Sequence, residues 1–304
     1  MTLSRPILLL GAAGQVGAAL AARLTRVGPL VSATRADADL ERPRELRALV
    51  RRVGPALIVN AAAYTAVDDA ETDEARCRRI NVDAPAVLAE ESARLDAPIV
   101  HYSTNYVFDG AASAPYGEDD LVAPLGVYGM SKYDGERAVA SANPAHLILR
   151  TSGVYGWNGR NFMLRILALA HEREELQVVD DQFVAPTPAS AVADSTVEAV
   201  SRVLRPGGDR AYGTYHLTAA GATTWHGFAE RVLSLDPARA SHRTRRLVGV
   251  RTEAYPTAAA RPRNGVLNND RFTRRFGFAI PDWEAELRRT FAEHSHRPCT
   301  TDER

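Results

Sequence analysis

The chain has 304 residues, 45% apolar and 24% charged, the balance of a folded globular protein and not of a disordered one. Thirty-seven basic residues offset 37 acidic ones, which excludes the basic field that nucleic-acid binding draws on. The apolar stretch near the start, ILLLGAAGQVGAALAA, contains Gly and Gln and has no charged leader, so neither a membrane span nor a signal peptide is expected.

Strands and helices alternate through the first half. ILLLG (7–11) reads as a buried strand and QVGAALAARLTRV as the helix after it. LVSAT (30–34) is a second strand, and PRELRALVRRV a helix with proline tolerated in its first turn. ALIVNAAA is a third strand, EARCRRINVDAPAVLAEESARL one long helix, and PIVHYST a fourth strand. An irregular stretch runs to about 124, then a helix and the strand HLILRTS. This alternation predicts an α/β fold with a doubly wound parallel sheet over residues 1–155. Beyond it the spacing predicts helices at 161–171, 190–204, 224–235 and 282–294, with strands at 176–180 and in GTYHLTA. A smaller substrate lobe over 156–295 is expected, partly interleaved, with segments near 176–220 rejoining the first domain. Residues 296–304 are expected to be a disordered tail. Cys77 and Cys299 lie in no ligand-like spacing and are expected to be free thiols in the cytoplasm.

GAAGQVG places Gly11, Gly14 and Gly17 between the first strand and its helix. Glycines let backbone N–H groups approach a pyrophosphate, and the helix N-terminus favours the anion. In this strand–turn–helix setting the loop predicts a Rossmann-type dinucleotide site. The second strand ends in TRAD, where a carboxylate would suit the 2′-hydroxyl of NAD; Arg35 suits a 2′-phosphate instead, which leans to NADPH with NADH open. Asp39 and Leu40 are placed to flank the adenine.

Of the 37 basic residues, 36 are arginine and one is lysine, Lys132, in VYGMSKYDGE. Tyr128 lies four positions earlier, on the same face of the expected helix. A phenol with an ordinary pKa of about 10 is expected to be drawn down by the neighbouring ammonium. A compact ammonium can also bond ribose hydroxyls, which the planar guanidinium of arginine does not reproduce. Thr104, ending the fourth strand, is placed to hold a carbonyl oxygen beside the phenol.

Taken together, GAAGQVG, NAAAYTAVDDAE, HYSTNYVFDG, VYGMSKYDGE, LRTSGVYG, DQFVAPTP and RPRNGVLNN resemble the dTDP-4-dehydrorhamnose reductase family of extended short-chain dehydrogenases/reductases, over roughly residues 5–292. The resemblance implies hydride transfer from NADPH or NADH to the 4-keto carbon of a dTDP-6-deoxy-L-hexose. It implies Thr104, Tyr128 and Lys132 as the catalytic residues. It places Gly11, Gln15, Val16, Asp39, Leu40, Ala61, Ala62, Ala63 and Tyr64 along the cofactor, and Tyr106 and Arg261 toward the substrate. Two departures fall in the implied pocket: Asn105 stands where the family pattern has aspartate, and Gly153 where it has tryptophan. The first removes a charge near the sugar; the second removes a flat wall of on the order of 200 Å². Trp157 is a candidate to fill that gap. Some relatives are joined into dimers by magnesium; the matching position here is Ser190, a poor ligand for a hard cation, so no metal and no metal-bridged dimer are expected.

Other readings stand beside simple reduction. A roomier pocket could admit retro-aldol opening of the sugar, reclosure to a five-membered ring and reduction of its aldehyde branch, the chemistry of dTDP-dihydrostreptose synthase. A non-catalytic NADP-binding regulatory subunit is a reading of another class, opposed by the presence of Thr104, Tyr128 and Lys132. An epimerase or dehydratase would need acid–base groups beside Thr104, where Asn105 is a poor one.

Overall fold

A computed structural model of the chain describes residues 3–205 and 210–295. Short apolar segments form parallel strands at Ile7–Leu10 (β1), Leu30–Ala33 (β2), Leu57–Asn60 (β3), Ile99–Thr104 (β4) and His146–Thr151 (β5). Gly213–His216 adds beyond β5, giving a six-stranded sheet in the order β2, β1, β3, β4, β5, 213–216. β1 and β3 are buried at every position, as a sheet covered on both faces requires, whereas β2 at the edge exposes Val31 and Ser32.

The helices are Gln15–Leu24 (α1), Pro43–Val53 (α2), Glu74–Arg78 (α3), Ala84–Arg94 (α4), Val127–Ala142 (α5), Phe162–Glu172 (α6), Ala189–Val203 (α7), Trp225–Leu235 (α8), Asp270–Phe276 (α9) and Trp283–Ser295 (α10). Alternation along the strands sorts them into layers. Ile7, Leu9 and Val59 pack with Leu20 and Leu24 of α1 and Val192 and Val200 of α7. Leu8, Leu10 and Ile58 point the other way, to Leu46 of α2, Leu88 of α4 and Val139 of α5.

The single helix expected over 74–95 is α3 and α4 joined by a π-turn at Arg79–Asp83. Pro85 has no N–H to give to the carbonyl four residues earlier, that of Asn81. The helix widens there, and the Asn81 carbonyl turns toward α5, where a Cβ on Gly135 would overlap it.

The strand expected at 176–180 is present at Glu175–Val179 but does not rejoin the large sheet; it pairs in parallel with Arg246–Val250. α7 and Gly213–His216 do return to the large sheet. The expected strand GTYHLTA breaks after His216, and Ala219–Ala220 pairs with Ile280–Asp282 instead. Tyr155, Met163, Val178, Phe228, Leu287 and Phe291 form a separate core among α6, α8 and α10. Among the described residues no helix is long and apolar enough to cross a membrane. The tail expected at 296–304, with Cys299, lies outside the described residues; Cys77 is a free, buried thiol.

Candidate active site

At the carboxyl ends of the strands lies a cleft of about 850 Å³. Its first end is built on the turn after β1. Gly11 has φ +76, and a Cβ there would come within 2.7 Å of the Ala62 nitrogen. Gly17 does not line the cleft: it is where α1 touches the turn, and a Cβ would overlap the Gly11 carbonyl oxygen. Gly14 caps α1 without a side-chain bond, leaving the first N–H groups of the helix for an anion. Gly11, Gly14, Gln15, Val16, Arg35, Asp39, Leu40 and Ala61 to Ala63 all line this end. Tyr64 does not; its backbone N–H donates to the Asn81 side chain at 2.9 Å, and its carbonyl accepts from the same amide at 3.1 Å. Arg35 is exposed, with Glu41 at 3.5 Å, and Glu41 is also held by Arg76 at 2.9 Å and Arg79 at 3.1 Å.

The second end brings Thr104, Asn105, Tyr106, Tyr128, Lys132, Gly153 and Arg261 together. Tyr128 stands in the first turn of α5, whose opening N–H, that of Val127, donates to Glu71 at 2.9 Å. Its ring meets Tyr106 edge-on at 5.5 Å. The expected downward pull of the ammonium on this phenol is not what the geometry produces. Burial pushes the Tyr128 pKa up, and the Thr104 hydroxyl only partly opposes that. Lys132 instead turns to the sheet, donating to the Tyr102 carbonyl at 2.7 Å, and burial draws its pKa down to about 8. Thr104 accepts from the Tyr106 N–H at 3.2 Å and donates to the Asn105 side-chain oxygen Oδ1 at 3.3 Å. Arg261 bonds Asp68 at 2.7 Å and lies over the Tyr106 ring, 6.0 Å from its centroid.

Trp157 does not fill the space beside Gly153. Its N–H donates to the Thr290 carbonyl at 3.0 Å and its ring stacks on His294 at 3.9 Å, both on α10. The aromatic wall is Phe162 with Trp225, ring centroids 4.6 Å apart, neither singled out in the sequence. Their signal was weak: each opens a helix and reads as ordinary core. Gly153 has φ +54, and a Cβ would come within 2.7 Å of Val184, so a tryptophan needs a different backbone here. Arg160, also missed, lines the cleft; with Arg35, Lys132 and Arg261 it gives four cations against one carboxylate, Asp39. In a chain of zero net charge, that imbalance suits an anionic ligand. Away from the cleft, His171, Asp236 and His242 bring ligand atoms within 4.8 Å of one another; Asp236 already holds His242 at 2.7 Å.

The family model described as RmlD substrate binding domain matches residues 5–296. The chain belongs to the dTDP-4-dehydrorhamnose reductase family. A dTDP-4-dehydrorhamnose reductase of Burkholderia thailandensis is 45% identical over 91% of this chain and 95% of its own length. A Streptomyces antibioticus protein, a probable dTDP-4,6-dihydroxy-2-methyloxan-3-one 4-ketoreductase, is 40% identical over 94% of each. The Bacillus anthracis dTDP-4-dehydrorhamnose reductase, solved in complex with NADP, superposes with a TM-score of 0.87 at 31% identity, covering 96% of this chain and 100% of that one. Within the dTDP-4-dehydrorhamnose reductase family, this chain thus carries a neutral, buried Asn105 and a left-handed Gly153 at its cleft.

Proposed function

We propose that the chain is an NADPH-dependent oxidoreductase that reduces the 4-keto group of a dTDP-6-deoxy-L-hexose. The carrying observation is one cleft with an uncapped helix N-terminus at one end and Thr104 beside a buried phenol at the other. The glycine turn and free α1 amides fit a dinucleotide pyrophosphate, and exposed Arg35 fits a 2′-phosphate. NADPH, when bound, supplies the hydride. Thr104 and Tyr128 hold the carbonyl oxygen, and Tyr128 gives it a proton as negative charge develops. The raised pKa of the phenol keeps it protonated, the form a reduction needs. Lys132 places an amine at the floor of the cleft for the ribose hydroxyls. Arg261, Tyr106 and Asn105, with Trp225 and Phe162, would take the sugar nucleotide, so the sheet half serves the cofactor and, through Asn105 and Tyr106, shares the substrate with the later segments.

The relatives favour direct reduction over ring contraction and over a regulatory role. Incubation with dTDP-4-keto-L-rhamnose and NADPH, with the product read by NMR, is expected to give dTDP-L-rhamnose. A branched five-membered ring would replace this reading by the dihydrostreptose one. NADP binding with no turnover of any keto-sugar would replace it by the regulatory one.

Replacing Arg35 by alanine is expected to raise KM for NADPH about tenfold, the size of one charged hydrogen bond, and to leave KM for NADH unchanged. Equal change in both would remove Arg35 from the phosphate. A cytoplasmic setting is supported by the free Cys77 thiol. We expect no magnesium-bridged dimer, since Ser190 in the first turn of α7 offers a hydroxyl in place of a carboxylate.

A further inference from the structure

The sheet face beneath Lys132 carries a histidine that the mechanism has not used. His101 on β4 and Asn60 on β3 are register partners, and α5 lies against His101, where a Cβ on Gly135 would come 3.8 Å from Nε2. His101 is fully buried. The Asn60 amide has one orientation: its oxygen accepts from the Ala62 N–H at 3.2 Å, so its NH₂ points at His101 Nδ1, 3.1 Å away. Nδ1 must therefore be an acceptor. Burial and the neighbouring ammonium hold the imidazole neutral, with its pKa well below the ordinary value. A neutral ring with a bare Nδ1 carries its hydrogen on Nε2, and Nε2 lies 3.5 Å from Lys132 Nζ.

That hydrogen faces a group with no acceptor while it is an ammonium, but with one lone pair once it is an amine. Other neighbours act on the same nitrogen. From α5 itself, Glu136 favours the ammonium, but its oxygens are engaged by Arg150 of β5 at 2.9 and 2.6 Å. From α3, the Cys77 thiol bonds Ser131 at 3.1 Å. From β4, the Tyr102 carbonyl accepts from Nζ in either state.

We infer that His101 is a positioning residue for this reaction: Asn60 fixes its tautomer so that Nε2–H faces Lys132 Nζ, and the lysine holds its extra proton loosely. His101 thereby sets the upper pH at which Lys132 is still charged for its part in reduction. This rests on the role given to Lys132 above.

Two measurements test it. In protein labelled with ¹⁵N-histidine, two-bond ¹⁵N–¹H spectra are expected to show His101 with a protonated Nε2 and a bare Nδ1; an Nδ1–H tautomer or an imidazolium overturns the inference, whatever Lys132 does. In the second, His101→Leu removes the N–H, and Asn60→Asp makes the ring give Nδ1–H to the carboxylate and turn a lone pair to Lys132. Both variants are expected to move the alkaline limb of kcat/KM upward by about one pH unit. Lower kcat with an unmoved limb in both means a packing role only and overturns the inference. If the tautomer is as expected but Lys132→Met keeps near-parent activity, the role proposed for Lys132 fails instead.

Discussion

Replacing Tyr128 by phenylalanine is expected to lower kcat by roughly 10²- to 10⁴-fold, the range general acid catalysis supplies. The change removes one oxygen and keeps the ring, so the edge-on contact with Tyr106 at 5.5 Å survives and the first turn of α5 stays packed. No cleft residue at the glycine turn is touched. NADPH affinity, read by fluorescence titration, is therefore expected to be nearly unchanged. The direction of the phenol's pKa sharpens the expectation. A tyrosine pushed upward by burial stays a proton donor across the whole neutral range, so the parent should show no loss of kcat from Tyr128 as the pH rises through that range. A phenylalanine variant with kcat near the parent's would remove Tyr128 as the donor.

Replacing Arg150 by methionine is expected to destabilise the fold by about 3–5 kcal/mol, because it leaves a buried carboxylate without its partner. Arg150 and Glu136 are 5% and 4% exposed and joined by two bonds of 2.9 and 2.6 Å. The guanidinium also lies 5.3 Å from the centre of the Phe108 ring and 3.4 Å from His216 Nε2. The pair ties β5 to α5, the helix that carries Tyr128 and Lys132. Adding Glu136→Leu to the same chain is expected to recover much of the loss, since two apolar side chains leave no stranded charge. Urea unfolding of parent, single and double variants checks this. A single variant within about 1 kcal/mol of the parent would show that the pair does not hold α5 to the sheet.

The parts of the fold that came from strong local signals were legible. β1, β3, β4 and β5 are apolar runs between turn residues, and the glycine turn needed only its spacing. Lys132 was legible for a chemical reason: among 36 arginines a lone lysine marks a place where a guanidinium does not serve. What it touches was not legible. Its first partner is a backbone carbonyl of β4, which no side-chain pattern announces. The π-turn was hidden because the helical spacing runs on through Pro85, whose effect falls on a carbonyl four residues back. Trp157 and Trp225 could not be told apart in sequence. Which of them meets the cleft depends on how α8 and α10 pack against α6, a long-range matter. Arg160 was hidden by its own abundance, one arginine among many.

The chain leaves the large sheet after β5 and comes back twice, as α7 and as the strand Gly213–His216. A gene cut near residue 155 would therefore hand one fragment a sheet lacking its last strand and the α7 that packs beside α1, and the other two orphaned pieces of someone else's core. Wholesale exchange of everything after residue 155 between such proteins would tear out part of the large sheet's own core. On the function proposed above, a change of sugar preference is reached by point changes at cleft positions such as Gly153, which leave that shared core intact.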